Sequence, residues 1–355
     1  MKVAIGMKLR RGPFGGGNQF GNALKSYLES RGDTVVDNLD DPDIDIIMMT
    51  DPRTSLLSCA FGPVEILDYL QRKPDTIVVH RINECDERKG TTLVNRILAR
   101  SNSIADHTVY IATWLIDLFK NQGLEFTENY SVVLNGAEPK HFYPDSGKPE
   151  ELSQPVRLVT HHWGGFWEKG WDIYLKLDKL ISADKYRGKL EFHYIGNPLD
   201  GIRTENIIFH PPASGKELGE LLNKNDIYVT GSMNEPAGMH HIEGALCGLP
   251  LLYRNSGALP EFCRGYGVMF NGVDDFESAL DELIENYAFY KKKIKEYDNT
   301  CEKMCSGYYD VFVDLLNRKE EIISVRKRII FPALKKLGFR FMNLKYRVMT
   351  RLGVR

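Results

Sequence analysis

The chain has 355 residues, of which 43% are apolar and 26% are charged, and its formal net charge is −2. This length suits about two domains with hydrophobic cores of their own, and the ordinary composition excludes disordered, collagen-like and fibrous proteins. No stretch approaches the ~20 uncharged apolar residues of a membrane span, and the apolar run at residues 1–6 is too short to predict a signal peptide. The six cysteines have no CxxC pair, which favours reduced thiols and a cytoplasmic location.

The charge is unevenly distributed along the chain. Residues 324–355 contain ten basic residues and no acidic residue, so residues 1–323 keep 36 of the 46 basic residues and all 48 acidic residues. An acidic body therefore precedes a basic C-terminal segment, and the near-neutral total does not exclude a polyanionic partner.

Short apolar runs alternate with helical patterns in the first half of the chain. The predicted strands are Val3–Met7, Asp33–Val36, Ile44–Thr50, Thr76–Arg81, His107–Ala112 and Tyr130–Leu134. The predicted helices are Asn18–Arg31, Val64–Lys73, Leu93–Ser101 and Thr113–Gln122. Such alternation is typical of βαβ units, in which helices cover both faces of a parallel sheet.

The pattern restarts after residues 136–156, where four prolines predict a linker. The next predicted strands are Arg157–His161, Glu191–Ile195, Ile207–His210, Asp226–Thr230, Leu249–Tyr253 and Gly267–Phe270. The helices between them include Trp171–Ile181, Lys216–Leu222 and His240–Cys247. We therefore predict an α/β protein with two Rossmann-like, doubly wound domains facing across a cleft, at residues 1–145 and 155–323, and a basic tail at 324–355. Functional residues are expected just after strands, where such sheets bind ligands.

A glycine-rich loop follows the first predicted strand. Gly15, Gly16 and Gly17 stand immediately before a predicted helix, whose N-terminal N–H groups attract anions such as phosphate. A tight turn that requires glycine is the alternative interpretation. Phe20 occupies a position where a dinucleotide-binding loop has glycine or alanine, although Asp37 keeps an NAD(P)-dependent oxidoreductase open as a weaker alternative.

Residues 234–262 contain the sharper signal, because two glutamates are separated by seven residues. Glu235 ends a loop after a predicted strand, and Glu243 lies inside the next predicted helix. Amide groups at the helix start suit a phosphate, and the carboxylates suit hydroxyl groups of the same ligand. An ordinary helix cap with a solvated glutamate is the alternative.

This segment resembles the Glu-x7-Glu signature of retaining GT-B glycosyltransferases of the family 4-like type. The stretches GPFGGGNQF, NGAEPKHFYP (135–144) and HHWGGFWEKGWDIY (161–174) resemble the same class. The resemblance covers residues 3 to about 270. It implies the GT-B fold and transfer of a sugar from a nucleoside-diphosphate sugar to an acceptor hydroxyl, with retention of configuration.

The resemblance also implies roles for individual residues on the donor side. Glu235 would hold hydroxyls of the donor sugar at the reaction centre, Glu243 would bind the ribose, and Lys169 would bind the pyrophosphate. Backbone amides would cradle the sugar and the distal phosphate at Ala237, Gly238, Met239 and His240. The arginine that the family places shortly before the lysine is absent, and the candidate replacements are His161, His162 and Arg254.

A polar loop, VVHRINECDERKG (78–90), ends the fourth predicted strand. Family members often place a histidine of the N-terminal domain beside the anomeric carbon, and His80 is the nearest match. Acceptor-side roles would then fall to Arg81, Asn83 and Asp86. The alternative is structural, with Arg81 pairing with Asp86 or Glu87 to fix the loop.

Neither a metal nor a cofactor is expected. The adjacent histidine pairs at 161–162 and 240–241 point apart on a strand or helix, and Cys301 with Cys305 is interpreted as a pair of surface thiols. The family resemblance implies instead that amides and Lys169 neutralise the leaving diphosphate. A sugar-nucleotide epimerase of GT-B fold and a non-catalytic sugar-binding protein remain alternatives. The expected partners are a nucleotide sugar and a glycan or lipid-linked acceptor, not a nucleic acid.

The basic tail has an apolar stripe at three- and four-residue steps, formed by Leu334, Leu337, Phe341, Leu344 and Val348. A basic amphipathic helix of this kind favours the surface of an anionic membrane. The alternatives are packing against the N-terminal domain and a nucleic-acid-binding arm. The protein is thus expected in the cytoplasm, with a peripheral position on the cytoplasmic face of a membrane as the outcome if the tail binds lipid.

Overall fold

The computed structural model describes residues 1–10, 15–326 and 332–353. It divides into two compact units, the first made of Met1–Leu134 with Met304–Arg355 and the second of Asn135–Lys303. Residues 304–323, which the sequence analysis assigned to the second domain, therefore lie in the first unit. The reason is packing, since the Tyr308 ring lies 5.1 Å from the Phe20 ring and its hydroxyl accepts a 2.9 Å hydrogen bond from Arg81 Nε.

A six-stranded parallel sheet forms the centre of the first unit, in the order β2-β1-β3-β4-β5-β6. Its strands are β1 (Lys2–Ile5), β2 (Thr34–Val36), β3 (Ile46–Met49), β4 (Ile77–Ile82), β5 (His107–Tyr110) and β6 (Tyr130–Val132). The helices between them are α1 (Gly16–Ser30), α2 (Pro63–Arg72), α3 (Val94–Asn102) and α4 (Trp114–Asn121). Every residue of β3 and β4 is buried, because crossover helices cover both faces of a parallel sheet.

The second unit repeats this architecture with the strand order β12-β11-β10-β7-β8-β9, again entirely parallel. Its strands are β7 (Val156–His162), β8 (Leu190–Gly196), β9 (Ile207–His210), β10 (Ile227–Thr230), β11 (Leu251–Arg254) and β12 (Gly267–Phe270). Its helices are α5 (Trp171–Ser182), α6 (Gly215–Asn223), α7 (His240–Leu246), α8 (Leu259–Cys263), α9 (Phe276–Glu285) and α10 (Tyr287–Lys293). Short 3-10 turns lie at Trp167–Lys169 and Ile294–Glu296.

Three helices complete the described chain, namely α11 (Cys301–Asn317), α12 (Lys319–Val325) and α13 (Pro332–Arg351). Among the described residues, no helix is both long enough and apolar enough to span a bilayer. Part of the predicted basic tail, at 327–331 and 354–355, lies outside the described residues.

The predicted strands are all present, and their ends differ from the predicted ones by at most two residues. The α/β prediction with two doubly wound sheets is therefore confirmed. One detail is wrong, because Cys305 is buried and only Cys301 is partly exposed. The buried face of α11 includes Met304, Tyr308 and Phe312, and this spacing turns Cys305 inward with them.

Candidate active site

The carboxyl edge of the second unit's sheet brings together three of the residues predicted for donor binding. Lys169 lies in the turn after β7, Glu235 lies in the loop after β10, and Glu243 lies in α7 directly beyond that loop. Parallel sheets place their ligand sites at this edge. Both carboxylates and the lysine are buried, with Glu235 only 2% exposed. Burial on this scale requires each charge to have a partner.

Lys169 and Glu235 are charge partners for one another. The lysine Nζ lies 2.7 Å from Glu235 Oε2, and both side chains are nearly inaccessible to solvent. Their loops are also joined, since the Met233 N–H donates to the Glu168 carbonyl oxygen at 2.8 Å. The site therefore holds a cation and an anion within hydrogen-bond distance at the sheet edge.

The loop that carries Glu235 is held by close backbone contacts. Asn234 has a φ of 48°, a left-handed conformation that asparagine tolerates better than most residues. Its N–H donates to Ser256 Oγ at 2.8 Å. Gly257 passes so close that a Cβ there would lie 2.5 Å from the Glu235 backbone. Glycine at this position is thus needed for the loop to set the Glu235 side chain.

The segment between the two glutamates is equally tight. A Cβ on Gly238 would lie 2.5 Å from His240 Nδ1 and 3.0 Å from the carboxyl carbon of Glu235. The Ala237 carbonyl oxygen accepts a 2.7 Å hydrogen bond from Asn135 Nδ2. Met239 immediately precedes α7, whose first N–H groups have no acceptor within the helix itself. The backbone from Ala237 to His240 is therefore fixed in position beside Glu235.

Glu243 is bound by a histidine that the sequence analysis assigned to a different role. His161 Nε2 lies 2.5 Å from Glu243 Oε2, while Tyr228 Oη lies 3.0 Å from His161 Nδ1. Burial raises the pKa of Tyr228 well above its ordinary value, so its hydroxyl keeps its proton and donates to Nδ1. In the tautomer that matches both contacts, Nδ1 accepts from Tyr228 and the Nε2–H group donates to Glu243 Oε2.

The second oxygen of Glu243 remains open. Glu243 Oε1 is buried and has no hydrogen-bond partner among the described residues. A buried carboxylate oxygen without a donor costs free energy, and an incoming hydroxyl group removes that cost. Glu243 thus has one oxygen fixed by His161 and one oxygen available to a ligand.

Three further histidines pack beside the two glutamates. His162 Nε2 lies 2.7 Å from the Tyr174 hydroxyl, and His240 Nε2 lies 2.9 Å from Thr230 Oγ1. Burial lowers the pKa of His240 well below its ordinary value and that of His241 to about 3. The described residues contain no group of three or more metal-binding side chains. His240 and His241 are therefore neutral at neutral pH.

Acidification is expected to destabilise the protein through these buried histidines. Their pKa is lower in the folded state than the unfolded value of 6.5, so below that pH the unfolded chain binds protons that the folded chain does not. Stability is complete above pH 6.5 and falls as the pH decreases toward the folded pKa. The check is chemical denaturation as a function of pH.

His241→Leu is the matched variant for this prediction. Neither ring nitrogen of His241 has a hydrogen-bond partner among the described residues, so leucine removes the proton site without removing a bond. The slope of unfolding free energy against pH is expected to fall by about 1.4 kcal/mol per pH unit in the acid range. An unchanged slope would mean that His241 does not contribute.

The stretch before Lys169, where the family arginine is missing, is closely packed at Gly165. A Cβ on Gly165 would lie 2.2 Å from the Pro198 carbonyl oxygen, so no larger side chain fits there without a backbone shift. Arg254, one predicted replacement, forms an ion pair with Asp172. The other candidates, His161 and His162, are bonded to Glu243 and Tyr174. The structure thus gives each predicted replacement another partner.

The first unit holds the remaining predicted residues, and it gives most of them structural contacts. His80 lies within β4 rather than after it, is fully buried, and places Nδ1 3.2 Å from Asn102 Nδ2. Burial lowers its pKa to about 3. This environment does not fit the predicted position beside a substrate. The physical reason is that β4 runs on to Ile82 and both of its faces are covered.

Arg81 and Asn83 are joined at the end of β4. The Arg81 guanidinium lies 3.7 Å from the centre of the Phe20 ring. With the Asn83 amide assigned in the orientation that satisfies both of its groups, its nitrogen donates to the Thr50 carbonyl oxygen at 3.2 Å and its oxygen accepts from Arg81 Nη1 at 3.0 Å. These contacts link β4 to α1 and to the end of β3.

Asp86 caps α3. Its carboxylate accepts hydrogen bonds from the Val94 and Asn95 N–H groups at 2.8 and 2.9 Å, and from the Thr91 hydroxyl at 2.6 Å. Since both oxygens are occupied, Asp86 stabilises a helix start rather than standing open to an acceptor.

The predicted glycine loop lies at the start of α1. Gly15 has a φ of 81° and precedes α1, whose first two residues are Gly16 and Gly17. A positive φ favours glycine, so the turn interpretation accounts for Gly15. Residues 11–14 of this loop lie outside the described residues. Gly15, Gly16 and Gly17 belong to the first unit, whereas Lys169, Glu235 and Glu243 belong to the second.

Comparison with known proteins finds a family match within the second unit. Residues 203–300 match the family described as glycosyl transferases group 1. An uncharacterised 41.2 kDa protein of the cps region of Klebsiella pneumoniae is 28% identical over 228 residues, which cover 63% of this chain and 62% of that protein. This chain thus spans less than two thirds of that relative.

Solved structures agree on the fold. Sucrose-phosphate synthase from Thermosynechococcus elongatus superposes with a TM-score of 0.64 at 12% identity, over 89% of this chain and 99% of that one. Anabaena HepE, solved in complex with UDP-glucose, gives 0.60 at 13% identity, over 91% and 99%. The chain therefore shares the fold of these solved structures, and the residues that match the group 1 family model, 203–300, lie in its second unit. The resemblance drawn from the sequence is confirmed at this level.

Two partners in the site escaped the sequence analysis. His161 was considered only as a phosphate ligand, although it contacts Glu243, and Asn135 was not considered at all, although it contacts Ala237. The segment NGAEPKHFYP that begins at Asn135 was part of the family resemblance, so the signal for Asn135 was present. Nothing in the spacing of His161 and Glu243, which lie 82 residues apart, signals their contact.

Proposed function

We propose that this protein is a retaining glycosyltransferase that transfers a sugar from a nucleoside-diphosphate sugar to a hydroxyl of a glycan, lipid-linked or other acceptor. The observation that carries the proposal is a pair of buried carboxylates at one sheet edge, one bonded to Lys169 and the other with an open oxygen. This combination provides a cation for phosphate and acceptors for sugar hydroxyls within one unit.

In this proposal the bound donor replaces the ion pair, because Lys169 and Glu235 each contact a different part of the donor. Lys169 contacts the diphosphate, Glu235 accepts hydrogen bonds from hydroxyls of the transferred sugar, and Glu243 Oε1 accepts one from the ribose. Charge-assisted bonds of this kind are about twice as strong as neutral ones. The tight backbone from Ala237 to His240 supports the cradle proposed for the sugar and the distal phosphate.

The reaction breaks the bond between the anomeric carbon and the diphosphate oxygen. The acceptor oxygen bonds to the same face of that carbon, so configuration is retained, and the leaving phosphate takes the proton of the acceptor hydroxyl. Negative charge grows on the diphosphate as the bond breaks, and a fixed cation placed there stabilises the transition state more than the ground state. Lys169 fills this role in a reaction proposed to need no metal ion. The proposed location is the cytoplasm or the cytoplasmic face of a membrane.

Thermal unfolding with UDP-, GDP- and ADP-sugars tests the donor site. One nucleotide class is expected to stabilise the protein by about 2.7 kcal/mol at a hundredfold excess over Kd. The Tm should rise by roughly 2–4 °C for each kcal/mol of this stabilisation. A Glu285→Gln variant, altered at an exposed position of α9, should respond like the wild type. Stabilisation by NAD(H) and by no nucleotide sugar would contradict the proposal and favour an oxidoreductase.

A further inference from the structure

The C-terminal helix α13 has two apolar faces, and only one of them is packed. Phe339 is 1% exposed and lies in the core of the first unit beside residues of α2, with Met342 packed against the same cluster. The opposite face is an apolar stripe whose side chains are 45–72% exposed: Leu334, Leu337, Phe341, Leu344, Val348 and Leu352. A contiguous apolar surface of this kind on a soluble unit marks an interaction site.

Polar contacts fix which way the stripe faces. Asn343 Oδ1 accepts a 3.1 Å hydrogen bond from the Thr54 N–H, and Lys336 Nζ donates to Gln71 Oε1 at 2.8 Å. Lys336 also forms an ion pair with Asp68 on α2. Because both bonded residues lie on the packed side of α13, the stripe is directed away from the first unit.

Positive charge flanks the stripe. Residues 332–353 contain six basic residues and no acidic residue, and among the described residues Lys336 alone of these six has an ion pair. The other five are Lys335, Arg340, Lys345, Arg347 and Arg351. At 100° per residue, Arg340, Arg347 and Arg351 fall in one row along the stripe, and Lys345 falls at its other edge.

A cavity of about 320 Å³ opens beside this row. Leu344 belongs both to the stripe and to the lining of the cavity, so the two features are adjacent. Hydroxyl and guanidinium groups in the lining are donors that suit a phosphate oxygen. One carboxylate, Glu65, is also present, and its Oε2 already accepts a 2.9 Å bond from the Gly62 N–H. The polar lining side chains used in this argument are Thr54, Ser55, Glu65, Arg340 and Arg347.

We propose that the stripe of α13 and its flanking arginines dock on the surface of an anionic phospholipid bilayer, with a lipid phosphate in the cavity. Apolar side chains enter the acyl boundary while basic side chains contact the headgroups, as interfacial helices do. A second copy of the chain fits less well, because a two-fold contact along the stripe brings the arginine rows together. Nucleic acid would contact the basic side chains but leave the apolar stripe exposed, so it also fits less well. The inference rests on the proposed function only in that a lipid-linked acceptor gives the docking a purpose.

Co-sedimentation of the full chain with vesicles tests the docking. The protein is expected to pellet with vesicles of phosphatidylglycerol and phosphatidylcholine, not with phosphatidylcholine alone, and to be released at high salt. Arg340→Gln/Arg347→Gln should lower the partition coefficient about 10- to 30-fold. Leu337→Gln/Phe341→Gln/Leu344→Gln, which keeps every charge, should abolish pelleting. The controls are Lys189→Gln/Lys292→Gln and Phe289→Gln, altered at exposed positions of the second unit, and they should pellet like the wild type.

Three results would overturn the inference. They are absence of pelleting, equal pelleting by the stripe variant, and a concentration-dependent dimer that the stripe variant abolishes in light scattering. Nucleotide-sugar stabilisation measured on the same variants separates this inference from the proposed function. If the protein binds a nucleotide sugar but does not pellet with vesicles, only the membrane inference is refuted. If it pellets but binds no nucleotide sugar, only the transferase proposal is refuted.

Discussion

Lys169→Met is expected to lower kcat/KM for sugar transfer by about 10²- to 10³-fold, the loss typical of removing one preorganised donor from a developing anion. The same variant leaves the Glu235 carboxylate buried without its 2.7 Å partner. Breaking a buried pair from one side costs about 3–5 kcal/mol of folding free energy. A drop in activity alone would therefore not separate catalysis from stability.

The double variant Lys169→Met/Glu235→Gln makes that separation. It removes both charges, so most of the lost stability is expected to return, while activity stays low because no cation faces the diphosphate. The measurements are denaturant unfolding and the rate of transfer from the donor class that stabilises the protein, with the anomeric configuration of the product read by NMR. Activity that returns together with stability would show the ion pair to be purely structural, and an inverted product would refute retention.

Glu243→Gln is expected to weaken nucleotide-sugar binding about 10- to 100-fold, which corresponds to loss of a hydrogen bond to a charged acceptor. The amide keeps the size of the side chain, so the fold should tolerate it. Isothermal titration with the stabilising nucleotide sugar gives the Kd, and Glu285→Gln serves as the control. An unchanged Kd would mean that Glu243 does not contact the donor.

His161→Leu extends this test to the residue that positions Glu243. Without the 2.5 Å contact from His161, the Glu243 side chain should lose its fixed orientation, and affinity should fall by a smaller factor than in Glu243→Gln. In a Glu243→Gln background the same histidine change should have little further effect, because coupled residues are not additive. Independent, additive losses would show that His161 acts on the ligand by another route.

Periodicity was sufficient to predict the two sheets because each buried strand is a short apolar run separated from the next by a helix. It assigned His80 both to the predicted strand Thr76–Arg81 and to the polar loop 78–90. β4 is buried on both faces, so no alternation of polar and apolar residues marks where the strand gives way to the loop. The glutamates were found because their spacing lies within one local segment. The partner of Glu243 was missed because His161 comes from another strand, and register between distant segments leaves no local signal.

The C-terminal helix shows a different limit. Phe339, Met342, Tyr346 and Met349 form one apolar face, and the stripe beginning at Leu334 forms another, so the sequence predicted the helix without choosing the packed face. In the structure only one of the two faces is buried. Phe339 fits the core beside α2, and the better-patterned stripe is exposed. The stronger periodic signal therefore belongs to the surface rather than to the core.

The contact between Lys169 and Glu235 has a consequence for turnover in the proposed reaction. An intact nucleotide sugar satisfies both groups at once, the lysine with phosphate and the glutamate with hydroxyls. A spent nucleoside diphosphate engages the lysine and not the glutamate, so the buried Glu235 carboxylate loses its ion pair with Lys169, which is costly. Closing the 2.7 Å ion pair again removes that cost by withdrawing the lysine from the product. Glu235 thus competes with the product diphosphate for Lys169, which favours departure of the product and entry of fresh donor.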